Sequence, residues 1–367
     1  MKKVLFVIGT RPEAIKMAPL IQKFQEDKSF ITTVLSTGQH RELLDHALNK
    51  FNINPDISLD VMGQNRSLNH LFSIVLDRIE PVLESQNPDY VLVHGDTLTS
   101  SAAALACYHL QIKVGHVEAG LRSFNDYNPF PEEMYRKLTG QIAEYHFAPT
   151  LQAKENLLRE GIPAQGIALV GNTGIDALQT LMQDAGNSSE NYILVTAHRR
   201  ENTRGEGLRN ICEAIKRIAH ELNIVVKYPV HPSPSVRGIV NSELRGLANV
   251  ELLEPLEYIE FITLMKNACI ILTDSGGIQE EAPSLGVPVL VLRETTERPE
   301  GITAGCASLV GTDINGIFNE VSFLLKSDEH YASYASAANP YGDGQASKRI
   351  LSFLKTNHCE EFNPALS

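Results

Sequence analysis

Short β-branched runs, each followed by a helical pattern, set the tightest limit on what this chain can become. They are Val4–Ile8, Tyr90–Val93, Lys113–Val117, Tyr192–Thr196, Ile224–Tyr228, Cys269–Leu272 and Val287–Leu292. The alternation predicts an α/β fold of parallel sheets covered by helices. The clearest helix is 67–84, where Leu68, Leu71, Phe72, Val75, Leu76, Ile79, Val82 and Leu83 share a face before Asn87-Pro88-Asp89 ends it. A second helix starts at Thr150 as N-cap and stops at Gly161.

Length adds the domain count. At about 150 residues per domain, 367 residues predict two. The only long polar stretch without periodicity near the middle is 183–191, so the boundary falls within 170–191. Near the end, Asn339-Pro340-Tyr341-Gly342-Asp343-Gly344 breaks the chain before a helix with Ile350, Leu351 and Leu354 on one side. The expected division is 1–171 with 348–367 returning to it, and 172–347.

Several partner classes are excluded. No apolar run approaches the roughly 18 residues of a membrane span. A net charge of -12 disfavours nucleic acid and anionic lipid. The apolar stretch Val4–Ile8 is too short for a signal-peptide core, which makes the cytoplasm the expected compartment. Five scattered cysteines without a C-x-x-C pair read as reduced packing residues.

In open α/β sheets the carboxyl ends of the strands face the ligand crevice, and here those ends carry reactive groups. They read Gly9-Thr10-Arg11 through Lys16, His94-Gly95-Asp96, His116-Val117-Glu118, Ala197-His198-Arg199, Val230-His231 and Thr273-Asp274-Ser275-Gly276-Gly277. Ser275-Gly276-Gly277 opens a helical pattern over 278–285, a geometry suited to phosphate, although a plain N-cap explains the same three residues. Arg11, Lys16 and Arg298 add cations to a chain of net negative charge and point to an anion site. Asp96, Glu118, Glu132, Glu133 and His198 supply acids and bases. Asp96 could instead cap the helix over 98–110, and Glu132 and Glu133 could merely complement a helix dipole after Pro131. Glu118, at a buried strand end, needs a partner or a task. His94 and His116 read as core or loop histidines, and His116-x-Glu118 lacks a third metal ligand at helical spacing, so no metal is expected. With no G-x-G-x-x-G after the first strand, no P-loop and no G-x-S-x-G elbow, dehydrogenase, P-loop phosphotransferase and elbow-type hydrolase chemistry are disfavoured.

Taken together, GTRPEAIKMAPL at 9–20, VGHVEAGLRS at 114–123, PEEMYRKLTG at 131–140, LTDSGGIQEEAPSLGVPVL at 272–290, TTERPE at 295–300 and NPYGDGQAS at 339–347 resemble the non-hydrolysing UDP-N-acetylglucosamine 2-epimerases of bacteria nearly end to end. The resemblance implies two Rossmann-like domains in a glycosyltransferase-B arrangement, with the active site in the interdomain cleft. It implies that Arg11, Ser275, Gly276, Gly277 and Arg298 hold the diphosphate, that Phe261 packs beside uracil, that Glu281 binds the ribose hydroxyls and that Lys16 lies at the active cleft. Asp96, Glu118, Glu132 and His198 match the catalytic set. Gln39, Arg66, Glu133, Arg199 and His231 match contacts of a second, activating UDP-N-acetylglucosamine site. A homodimer is implied as well.

Chemistry favours one route for such a substrate. The C2 hydrogen of an N-acetylhexosamine is not next to a carbonyl, so direct deprotonation is disfavoured. Departure of UDP from C1 acidifies C2–H, and elimination to a glycal followed by re-addition inverts C2 with no cofactor. Two of Asp96, Glu118 and Glu132 would move the protons while His198 and the arginines stabilise the leaving diphosphate, and the two domains would close over the glycal to exclude water. UDP-N-acetylglucosamine, UDP-N-acetylmannosamine and UDP are the expected ligands. A hydrolysing relative releasing free N-acetylmannosamine and a nucleotide-sugar sensor without turnover are the rivals.

Overall fold

Strand β1 (Lys2–Ile8) is buried without interruption from Val4 to Ile8, as a central strand of a sheet covered on both faces must be. The computed structural model describes residues 1–38, 44, 47–61, 67–182, 186, 191–203 and 205–365. Two units emerge, one comprising Met1–Ala177 and Gly342–Asn363, the other Leu178–Tyr341 and Pro364–Ser367. The second break falls inside Asn339–Gly344, where Pro340 and two glycines interrupt regular structure.

In the first unit, β1 is joined by β2 (Phe30–Ser36), β3 (Ile57–Ser58), β4 (Tyr90–His94), β5 (Lys113–Val117), β6 (Tyr145–Ala148) and β7 (Ile167–Leu169). The order is β3-β2-β1-β4-β5-β6-β7 and all pairs are parallel. The second unit repeats the plan with β8 (Tyr192–Thr196), β9 (Val225–Pro229), β10 (Val250–Leu253), β11 (Ile270–Thr273), β12 (Val289–Val291) and β13 (Ala307–Leu309), ordered β10-β9-β8-β11-β12-β13. Strand order therefore reverses between β1 and β4 in one sheet and between β8 and β11 in the other. A doubly wound sheet splays its connecting loops apart at such a reversal, opening a crevice at the carboxyl ends of the two strands. Those ends are Gly9-Thr10 and Gly95-Asp96 in the first unit, and Ala197-His198 and Asp274-Ser275 in the second.

All seven runs read as strands are strands. The six others, β2, β3, β6, β7, β10 and β13, did not stand out because most are two to four residues long and carry polar or small side chains such as His146 and Ser308. The helix expected over 67–84 spans Leu68–Gln86 with Ser67 as N-cap, but only Val75, Ile79 and Leu83 of its apolar face are fully buried. Thr150 caps the helix Leu151–Arg159 through the Ala153 N–H. The pattern over 278–285 divides: an α-helix covers Gly276–Glu281, then a 3-10 turn covers Ala282–Leu285, because Pro283 has no N–H to continue the ladder.

The last helix, Ala346–Thr356, packs in the first unit. The Asp176 carboxylate accepts the N–H groups of Ala346 and Ser347 at its start. Further along, Phe353 meets Tyr145 and Phe147 edge-on, and Lys2 Nζ donates to the Leu354 carbonyl at 2.8 Å. All five cysteines are free. Among the described residues no helix is long and apolar enough to cross a membrane, and no cluster of His, Cys, Asp or Glu could hold a metal ion.

Candidate active site

In the first unit the turn after β1 is locked from beneath by one carboxylate. Glu13, 1% exposed, accepts the N–H groups of Gly9 and Thr10 at 2.9 and 2.6 Å and the hydroxyls of Thr97 and Ser100 at 2.6 and 3.1 Å. It thereby closes a capping box on the helix Arg11–Glu26 and ties it to the start of the helix Leu98–His109. A Cβ on Gly9 would collide with Thr99, so only glycine fits there. Thr97, not Asp96, caps the latter helix, and the Asp96 side chain is left for other work.

Glu118 follows β5 with φ +63°, in the left-handed region that a side chain normally avoids at a cost of about 1–3 kcal/mol. Such a strained position persists only where its surroundings over-determine it. Here His116 Nε2 lies 2.7 Å from the Gly95 carbonyl, and Gly95 N–H donates to the Val117 carbonyl at 2.9 Å, binding the two strand ends together. The strained backbone turns the Glu118 carboxylate onto the Lys16 ammonium, with His94 Nε2 at 3.7 Å. Burial acts to raise the Glu118 carboxyl, but Lys16 and the other positive charges near it outweigh this and hold it well below the usual range. Burial pushes His94 down to about 4, keeping it neutral at pH 7.

Asp96 responds in the opposite direction. Burial raises its carboxyl, an effect that Arg136 opposes and that Glu118 and Glu132 reinforce. Arg136 pairs with Asp96 and also reaches Glu133 at 3.1 Å. Both acids after Pro131 lie in the first turn of the helix Glu132–Ile142, yet they do more than complement its dipole. Glu133 is fully buried and accepts the N–H groups of Ser123 and Phe124, fixing the loop after β5. Glu132 Oε2 is sealed from solvent with no hydrogen-bond partner among the described residues. Four carboxylates, Asp96, Glu118, Glu132 and Glu133, thus lie around two cations, Lys16 and Arg136.

The second unit arranges a different chemistry. Asp274, fully buried, accepts the N–H groups of His198 and Arg199 and the Asn202 side-chain amide on Oδ2, each at 2.9 Å. The His198 ring stacks on that of His231, 4.9 Å between centroids and 12° between planes. Arg199 and His231 are exposed. Beyond Ser275, the Arg298 guanidinium lies flat against Gly276, where a Cβ would come within 2.9 Å of Cζ, and Arg298 Nε donates to Glu280 at 2.9 Å. Tyr341 braces this arrangement by accepting the Gly301 N–H at 2.9 Å and donating to the Arg298 carbonyl at 3.0 Å. Asn339 donates to the Glu280 carbonyl and to Ser284. Glu281 accepts from the Tyr258 hydroxyl at 3.0 Å, which brings it beside the helix Tyr258–Lys266 that carries Phe261.

The first unit therefore gathers Lys16, Asp96, Glu118, Glu132 and Glu133, with Arg11 opening the adjoining helix. The second gathers His198, Arg199, His231, the 275–277 turn, Glu281 and Arg298, with Phe261 on the helix whose Tyr258 meets Glu281. Gln39 and Arg66 lie outside the described residues. Sequence reasoning passed over Arg136 and Asp274 as site residues and favoured a plain core role for His94. The available signal for Arg136 was its position four residues after Glu132, one helical turn on; for Asp274 it was a carboxylate between a strand and a glycine turn.

A family model described as UDP-N-acetylglucosamine 2-epimerase matches residues 22–355. The UDP-N-acetylglucosamine 2-epimerase of Escherichia coli K12 is 50% identical over 373 residues, covering 97% of this chain and 99% of that protein. A crystal structure of UDP-GlcNAc 2-epimerase from Neisseria meningitidis bound to UDP-GlcNAc superposes with a TM-score of 0.87 at 46% identity, covering 96% of this chain and 99% of that one. The Methanocaldococcus jannaschii enzyme in complex with UDP-GlcNAc and UDP gives 0.79 at 36% identity, covering 96% and 99%.

Proposed function

The chain belongs to the UDP-N-acetylglucosamine 2-epimerase family, and on that premise we propose that it interconverts UDP-N-acetylglucosamine and UDP-N-acetylmannosamine by eliminating UDP to a 2-acetamidoglucal and adding it back. The observation that carries the reading is the divergence of two neighbouring carboxyls, Glu118 held down and Asp96 pushed up. Groups whose surroundings drive their pKa values apart divide into a ready base and a ready acid. Inversion at C2 needs both, since a proton leaves one face of the sugar and another arrives on the opposite face.

In this proposal Glu118 takes the C2 proton and Asp96 returns one, with Glu132 beside them as the remaining acid/base group. Lys16 neutralises Glu118. On the other unit, Arg298, Ser275, Gly276 and Gly277 hold the diphosphate, His198 stabilises its charge as it departs, Phe261 packs beside uracil and Glu281 binds ribose. Arg11 contributes a further cation.

The wider expectations belong to the same proposal: a cytoplasmic homodimer, a second and activating UDP-N-acetylglucosamine site drawing on Glu133, Arg199 and His231 together with Gln39 and Arg66, and a product destined for surface polysaccharide. The test of the core reading is C2 proton exchange in the Glu118→Gln and Asp96→Asn variants. Each is expected to lose exchange and epimerisation while still binding UDP. Wild-type exchange in either variant would remove that residue from proton transfer.

A further inference from the structure

The two oxygens of Asp274 are unequal. Oδ2 takes three N–H donors, two from the backbone of the loop that carries His198, while Oδ1 is sealed from solvent with no hydrogen-bond partner among the described residues. His198 Nδ1 lies 3.6 Å from that Oδ1. The loop itself is fixed: the Tyr228 hydroxyl donates to the Ala197 carbonyl at 2.7 Å, and Asn202 ties Asp274 to the Leu292 carbonyl. Stacking on His231 sets the plane of the His198 ring. A small sliding of that ring makes the Nδ1–H···Oδ1 bond that the carboxylate lacks.

We propose that Asp274 is the positioning residue for His198, accepting its Nδ1–H so that Nε2 is the ring nitrogen presented to the departing diphosphate. The inference rests on the epimerase reading for what His198 does, but not for its tautomer. An imidazole whose Nδ1 is held by a carboxylate keeps Nε2 free to take a proton and donate it to a phosphate oxygen, and the buried negative charge supports the imidazolium that results. The charged and titratable groups that act on the ring are Asp274, His231 and Arg199. Burial, His231 and Arg199 together outweigh Asp274 and hold the imidazole below its ordinary value, and Asp274 is the one neighbour that favours the imidazolium, so removing its charge disfavours that form further.

Asp274→Asn is the discriminating change. The amide oxygen can still accept from the loop N–H groups, while the amide NH2 would face Nδ1 and force the proton to Nε2. Long-range proton–nitrogen NMR on histidine-labelled protein, with the His198 signals assigned by their loss in His198→Gln, should show an Nδ1–H tautomer in the wild type and Nε2–H in Asp274→Asn. The variant's kcat for UDP-N-acetylglucosamine should fall about 100-fold, with KM changed far less. Adding Asp274→Asn to His198→Gln should lower kcat no further, because the two residues act as one unit. An Nε2–H tautomer in the wild type overturns the proposal without recourse to any variant, as does an additive loss in the double variant. A wild type that shows the Nδ1–H tautomer but no turnover would instead count against the epimerase reading and leave the Asp274 to His198 contact standing.

Discussion

Replacing Lys16 by methionine isolates the energetics on which the first half of the site depends. Methionine keeps most of the aliphatic stem and removes the charge, leaving Glu118 buried beside neutral His94. Removing one partner of a buried ion pair costs about 3–5 kcal/mol. With 23% of the Lys16 side chain and 12% of the Glu118 side chain exposed, the lower end applies, about 3 kcal/mol at neutral pH. For a unit of this size each kcal/mol shifts the transition by about 2–4 °C, so a drop of about 6–12 °C is expected by calorimetry. The pH dependence identifies the cause. In the wild type the folded Glu118 carboxyl lies below its unfolded value, so its stabilisation is fully present above the unfolded pKa and is lost as pH falls through the folded one. In the variant burial loses its main opponent and the folded value rises, so this group destabilises increasingly as pH climbs above the unfolded pKa. The gap between wild type and Lys16→Met should therefore narrow from pH 8 toward pH 5. A gap that is absent, or that does not change with pH, would refute the assignment of Lys16 as the charge that controls Glu118.

Three further substitutions probe other contacts. Gly276→Ala places a methyl 2.9 Å from Arg298 Cζ and should displace the guanidinium, a clash of about 1–3 kcal/mol that calorimetric titration would read as UDP binding weakened about tenfold or more. Tyr341→Phe removes the hydroxyl shared by Gly301 N–H and the Arg298 carbonyl, leaving buried groups unpaired at about 1–3 kcal/mol; reduced stability together with weaker UDP binding is expected, whereas unchanged binding would separate the Asn339–Gly342 segment from the Arg298 site. Arg136→Met removes the cation that opposes the burial of Asp96, so the limb of the pH profile governed by Asp96 should move to higher pH; a shift to lower pH would contradict the arrangement.

Much of the fold was legible because a central parallel strand must be apolar on both faces and therefore writes a continuous run, as Val4–Ile8 does. Edge or very short strands need no such run, and β3, with only Ile57 and Ser58, left no trace to read. The returning helix was legible from Ile350, Leu351 and Leu354, but its anchor, the Asp176 carboxylate, lies 170 residues away in sequence. The site divides along the same line. Residues that end strands announce themselves by position, hence Asp96, Glu118 and His198. Residues whose role depends on a partner brought in by folding do not: Arg136 reaches Asp96 across 40 positions, and Asp274 reaches the His198 loop across 76. Nor does any pattern of residue types reveal that Glu118 sits at positive φ, because that conformation is imposed by the tied ends of β4 and β5.

The most direct measurement is an NMR time course of the purified protein with UDP-N-acetylglucosamine in deuterated buffer and no added cofactor. The account expects UDP-N-acetylmannosamine carrying deuterium at C2, in equilibrium with UDP-N-acetylglucosamine that has also exchanged its C2 proton. Free N-acetylmannosamine with UDP, or bound nucleotide sugar that never exchanges, would contradict it.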